Sequence, residues 1–260
     1  MPTNTDGHPP ALPASAATSS RLQRHTPERR LTALEPGFVN DVMARCERAF
    51  DASLFFQRLA TGELTPAQLR HVFGQYGHFR LQLHCWFGLC ISKASNGAEP
   101  AQRQAILALS DHIFTDLRDD HDQMFREFLH QLGFPPGTLH AERASVATRA
   151  YVRSFFEDCG AQSCTFFDAI AALGGRELSV SLRNRRLLVS YFAPRGLPEP
   201  TWIRLHAELE AEHFLDAVEP IVARHGSDSP QLRAARGAIE RAFERHVQYL
   251  DALMLEHAAT

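Results

Sequence analysis

The chain has 260 residues, a formal net charge of -3, 44% hydrophobic and 22% charged residues. This is ordinary globular composition, and a domain of this length can bury about three quarters of its unfolded surface. Whole-chain disorder, collagen-like repeats and a disulfide scaffold are excluded; no apolar run approaches the roughly 18 residues that span a bilayer, and the slightly acidic balance argues against a dedicated nucleic-acid binder.

Residues 1–33 are expected to form a disordered tail. They hold Pro2, Pro9, Pro10, Pro13 and Pro27 among many Ser, Thr and Ala, with no aromatic residue, so they cannot supply a packed core. They also lack the continuous apolar stretch of a signal peptide. From Glu35 onward the pattern is helical almost everywhere, and residues 34–260 are expected to form one bundle. Thr65 can cap a helix whose first position is Pro66. Leu69, Val72, Tyr76, Phe79, Leu83 and Trp86 then recur at spacings of three and four, one apolar stripe. Near Leu81–Ile91 the run becomes apolar on most sides, which suggests a central position. Further helices are expected over 99–116, 120–132, 141–158, 162–192, 199–224 and 229–257, with breakers at Gly97, Gly133 to Gly137, Gly160, Pro194 to Gly196, and Gly226. Strand-like alternation and fixed-period repeats are absent. The expected fold class is all-α, a single helical bundle of about seven helices.

Two absences narrow the chemistry. Lys93 is the single lysine, against 26 arginines, and it sits at a helix end, so Schiff-base catalysis is set aside. The five cysteines include no CxxC pair, which removes zinc-ribbon and thioredoxin-type sites. An odd number of free thiols suits a reducing cytosol, so a cytoplasmic location is expected.

Three positions carry possible metal chemistry. His206, Glu210 and His213 are spaced i, i+4, i+7, which puts them within roughly 60° of one another on a helix face. Two imidazoles and a carboxylate so arranged suit iron, manganese or zinc; a polar face that happens to include two of 14 histidines is the alternative. Glu208 and Glu212 point elsewhere. His121 opens an amphipathic helix behind Asp111, Asp116, Asp119 and Asp120, and is either a ligand or a core-edge histidine behind an acid-rich N-terminus. Glu177 follows Gly174 and Gly175, small residues that permit close backbone approach. It can face the bundle interior, or pair with Arg176 or Arg183 at the surface.

Together these positions resemble the haem-oxygenase-like diiron oxidases and oxygenases, the iron-containing redox enzyme family, which shares its bundle with thiaminase-II and the pyrroloquinoline-quinone synthases. The resemblance covers roughly residues 45–225, including Phe128-Leu129-His130-Gln131-Leu132-Gly133 and Ala172-Leu173-Gly174-Gly175-Arg176-Glu177. It implies metal ligation by His206, Glu210 and His213 of the late helix, by Glu177, and by His121. The family's first carboxylate is a Glu several residues before that histidine; only Asp occurs here. Asp116 is the chosen counterpart, with Asp119 and Asp120 behind it. The cysteine-and-aromatic motif of thiaminase-II is not evident around Cys159 or Cys164.

The resemblance implies two Fe(II) ions, or a mixed iron–manganese pair, which would supply electrons to otherwise unreactive triplet dioxygen. It further implies a cytoplasmic non-haem iron oxidoreductase of specialised metabolism acting on a small amine- or carboxylate-bearing metabolite. Desaturation, carbon–carbon cleavage and N-oxygenation are all open. Its partners would be the small molecule and dioxygen, with neither nucleic acid nor membrane, and a homodimer is allowed. Gln75, His78 and Gln82 are expected to line the substrate pocket, or to be structural. The competing reading is a cofactor-less oxidase or hydrolase of the same fold using His and Glu as acid–base groups.

Overall fold

A computed structural model of the chain describes residues 36–95, 97–135, 143–225 and 229–258. The expected tail over 1–33 lies outside the described residues, as do the expected breakers Pro136, Gly137 and Gly226. Ten α-helices and no strand occur among the described residues: α1 (Pro36–Ala52), α2 (Leu54–Ala60), α3 (Pro66–Arg80), α4 (Leu83–Ser92), α5 (Pro100–Arg118), α6 (His121–Gln131), α7 (Val146–Gly160), α8 (Phe166–Leu187), α9 (Thr201–His225) and α10 (Pro230–Ala258). A π-helical turn, Leu188–Phe192, and a 3-10 turn, Ala193–Arg195, close α8 and lead to Gly196 at φ 61°. Long periodic segments fix where helices form, and their starts carry local chemistry. Thr65 and Thr165 each make a capping box, with Gln68 and Asp168 respectively.

The count exceeds the expected seven by three: α1 and α2 precede the expected runs, and the run after Pro66 divides into α3 and α4; the breaks at Ser53 and at Leu81–Gln82 carry neither Gly nor Pro. At Ser53 the hydroxyl caps α2 and donates to Asp251 Oδ1 of α10 at 2.6 Å. At Leu81 and Gln82 the apolar stripe continues while the backbone leaves the helix, Gln82 lying at φ -104°, ψ 6°.

α8 is the axis of the bundle and packs chiefly against α9 and α10. Every residue from Ala169 to Asn184 is buried. A helix enclosed on all sides is normally apolar throughout, yet this one carries Arg176, Glu177, Ser179, Ser181, Arg183 and Asn184 inside. Buried charge is the informative exception in a core. Gly174 and Gly175 let the neighbours in: a Cβ on Gly175 would lie 2.5 Å from the Ile239 carbonyl oxygen of α10, and one on Gly174 2.9 Å from Ala217 Cβ of α9. No helix among the described residues is long and apolar enough to cross a membrane.

Candidate metal centre

α5 turns one buried stripe inward, Ala105, Leu109, His112 and Asp116, at the spacings of four and three that keep residues on one face. Its upper half is apolar and its lower half polar. After Arg118 the chain reverses through Asp119 and Asp120. Asp120 takes the left-handed conformation at φ 49° and caps α6, accepting from Gln123 N at 3.1 Å; Asp tolerates that region because its short side chain bonds locally. The reversal points His121, the first residue of α6, back at α5. Trp202, His206, Glu210 and His213 come from α9, and Glu177 from α8.

These side chains gather into two adjoining trios. Ligand atoms of Asp116, His121 and His206 lie within 4.8 Å of one another, as do those of His112, Glu210 and His213. The trios meet where His112 Nε2 is 3.9 Å from Asp116 Oδ1 and His206 Nε2 is 4.0 Å from Glu210 Oε1. The His112 and His213 rings stack with centroids 3.4 Å apart.

Neighbouring groups aim the donors. Arg80 Nη2 holds Asp116 Oδ2 at 3.1 Å, leaving Oδ1 to the imidazoles. The Trp202 carbonyl lies 2.8 Å from His206 Nδ1. The proton is therefore assigned to Nδ1, and the Nε2 lone pair faces Glu210; such an outer partner is how a ligating imidazole is usually fixed. His213 Nδ1 lies 2.7 Å from Glu210 Oε2.

Electrostatics put the groups in ligand-ready or strained forms. Burial lowers the pKa of His112 and His213, and pushes His206 down to about 3; neutral imidazoles offer lone pairs. Burial alone would raise Asp116, but His121 and Arg80 beside it hold its carboxyl well below the usual carboxylate range. Glu210 is pushed up to about 7, by burial first, and Glu177 is raised well above its ordinary value by burial and then by Glu210.

The donor set fits a pair of divalent cations of borderline hardness. Asp116 Oδ1 and His121 Nδ1 stand 2.6 Å apart and interact with each other, whereas Glu177 Oε1 is buried with no hydrogen-bond partner among the described residues. An orphaned buried acceptor carries a desolvation penalty of about 1–3 kcal/mol, which a nearby cation would remove.

Five of the six expected positions, Asp116, His121, His206, Glu210 and His213, fall in the two trios; Glu177 is buried and electrostatically coupled to Glu210 but belongs to neither. Asp119 lies away from them: it pairs with Arg118 at 2.6 Å on the surface. Asp120 serves as a cap. Glu208 is exposed. His112 belongs to the cluster and was not singled out from the sequence, although the 105, 109, 112, 116 stripe carries it. Gln75 faces another way, accepting from Ser145 N and Thr148 Oγ1 at 2.8 Å each at the start of α7. Gln82 Nε2 donates to the His78 carbonyl at 3.2 Å.

A family model described as iron-containing redox enzyme matches residues 70–246, more than half of the chain and the whole of this cluster. The chain belongs to the iron-containing redox enzyme family. Its fold is shared with solved structures of low identity. A TenA homologue from Pseudomonas syringae superposes with a TM-score of 0.67 at 17% identity, covering 86% of this chain and 92% of that one. A domain of unknown function with a haem-oxygenase-like fold from Shewanella denitrificans gives 0.67 at 11%, covering 86% and 93%. A TenA family transcription regulator from a Silicibacter species gives 0.62 at 18%, covering 84% and 96%. These likenesses concern the haem-oxygenase-like fold alone. No curated protein matches the sequence.

Proposed function

We propose that this iron-containing redox enzyme is a non-haem diiron oxidase or oxygenase acting on a small metabolite. One Fe(II) would be held by Asp116, His121 and His206, the other by His112, Glu210 and His213, with Glu177 beside the second. The observation that carries this reading is the pair of adjoining trios, with the unpartnered Glu177 Oε1 in the same core. Such an ion pair supplies the electrons that dioxygen needs. The protein's own groups do the rest. Arg80 neutralises Asp116 and fixes which oxygen faces inward. The Trp202 carbonyl sets the His206 tautomer. Glu177 and Glu210 hold a proton between them in the metal-free protein and give it up on loading, since a ligating carboxylate must be ionised. Desaturation, carbon–carbon cleavage and N-oxygenation are the reaction types within reach.

The test is iron content after anaerobic loading, together with oxygen uptake on candidate substrates. Two irons per chain, with uptake that stops when His112 or His206 is replaced by Ala, is the expected result. Uptake that survives complete removal of metal would overturn it. A second reading is favoured by one observation: Glu210, raised to about 7, is poised for general acid–base chemistry at neutral pH. A cofactor-less oxidase or hydrolase would keep full activity in chelator, which separates the two.

A further inference from the structure

α5 and α9 face each other across a small cavity that reaches the second trio. On α5 its wall is Ala105, Ala108, Leu109 and His112, at spacings i, i+3, i+4 and i+7 along one face; on α9 it is His213 and Ala217, four residues apart. Ile170 of α8 closes the floor. The space is about 20 Å3, where a single water needs roughly 10–15 Å3. It admits one diatomic or triatomic molecule and leaves no room for a metabolite.

The cavity is not slack between loosely packed helices. Ala105, Leu109, Ile170 and Ala217 are buried. α9 is held hard against α8 at this level, since a Cβ on Gly174 would lie 2.9 Å from Ala217 Cβ. Protein interiors leave few spaces larger than a water. This one persists because alanine stands at three wall positions where a larger aliphatic side chain would fill it. It also lies on the open side of the metal centre. The His213 side chain is 15% exposed, whereas those of His112, Asp116, His121, His206 and Glu210 are 2–8% exposed. The half-buried Ala108 and Asp216 mark the rim.

The lining disfavours water and anions. A buried water needs two to four polar partners, and five of the eight lining side chains are apolar. His213 Nδ1 turns to Glu210 Oε2 at 2.7 Å, and His112 Nε2 turns toward Asp116 Oδ1 at 3.9 Å. The Asp216 carboxylate at the rim repels a negative charge. Apolar cavities in proteins stay dry and take up apolar guests such as xenon. Dioxygen is apolar, uncharged and diatomic, and asks for no hydrogen bond.

We propose that the cavity between α5 and α9 is the entry and holding site for dioxygen at the second metal position, with Ala105, Ala108 and Ala217 passing a diatomic gas and turning back larger molecules. What the gas meets at His112 and His213 rests on the diiron reading; the cavity itself does not. The metabolite then reaches the centre from another side.

Xenon is a probe that needs no metal. Crystals of the full chain, as isolated and after anaerobic Fe(II) loading, are pressurised with xenon. An anomalous xenon peak is expected between α5 and α9, against Ala105, Ala108 and Ala217. Its occupancy should fall at least fivefold in Ala108→Leu, whose side chain fills the cavity from the rim. In the Fe(II)-loaded chain, Ala108→Leu should slow oxidation by dioxygen at least fivefold with iron content unchanged. Oxidation by ferricyanide, too large to enter the parent cavity, should stay at the parent rate. The parent xenon peak does not depend on how the variant folds. Absence of that peak, equal occupancy in folded Ala108→Leu, oxidation by dioxygen at the parent rate in that variant, or equal slowing with both oxidants would each overturn the proposal. Iron uptake by a chain with no xenon at this place would overturn this inference and leave the metal reading intact. Xenon held here by a chain that takes up no iron would support the cavity as a gas site and sink the metal reading.

Discussion

Gly175→Ala tests whether the approach of α8 to α10 sets the geometry of the centre. The new methyl would sit 2.5 Å from the Ile239 carbonyl oxygen and 2.7 Å from its Cα. Ordinary non-bonded contacts lie near 3.5 Å, so the helices must part by roughly 1 Å. Both contacts are backbone atoms, and no rotamer change relieves them. Overpacking of this kind costs about 1–3 kcal/mol or more, while Gly to Ala within a helix returns up to ~1 kcal/mol. The upper end of the first range applies, giving a net loss of about 2 kcal/mol. In a domain of this size that lowers the melting temperature by roughly 4–8 °C. Gly88→Ala is the control: it lies within α4 with nothing within 4 Å of the added carbon, so only the propensity gain of up to ~1 kcal/mol applies. Thermal unfolding by far-UV circular dichroism reads both variants. Iron content should also fall in Gly175→Ala, because Glu177 lies two residues on. A Gly175→Ala protein melting at or above the parent would refute the packing argument.

Replacing His112 or His213 with Ala should each reduce iron affinity at least tenfold, while His84→Ala, at an exposed position of α4, should leave it unchanged; elemental analysis decides. Asp116→Asn should lower iron content far more than Asp119→Asn, since Asp119 pairs with Arg118 on the surface, and the reverse order would move the ligand. Iron affinity should rise with pH up to about 7, because Glu210, raised to about 7, must release its proton; calorimetry in buffers of different ionisation enthalpy counts the protons, and zero release would contradict this. In the metal-free protein the same group favours the folded state most below its ordinary value of 4.5 and loses that contribution as pH rises to about 7. Glu210→Gln should flatten the urea midpoint over that window, and an unchanged slope would contradict the assignment.

Helix positions were legible because apolar residues recur at a period of 3.6 over long segments. The breaks at Ser53 and Gln82 were not, since no local breaker marks them. Ser53 is held by Asp251 of α10, nearly 200 residues away, a contact that only the folded chain contains. The spacing of His206, Glu210 and His213 made the α9 part of the cluster visible. His112 was hidden in a different way: it continues the apolar stripe of α5 and reads as core until α9 brings His213 against it. In the sequence Arg176 and Arg183 read as surface partners for Glu177, the usual place for arginine. Their burial follows from the enclosure of α8 between α9 and α10, which the polar residues of α8 conceal at the level of pattern.

The number and nature of the bound irons decide most directly between a diiron centre and any other use of the cluster. Elemental analysis joined to Mössbauer spectroscopy of the anaerobic, Fe(II)-loaded protein measures both. Two irons per folded chain, in two distinct high-spin ferrous environments and both reduced in occupancy by His112→Ala or His206→Ala, is the predicted result. At most one iron per chain, or full occupancy in both variants, would contradict it.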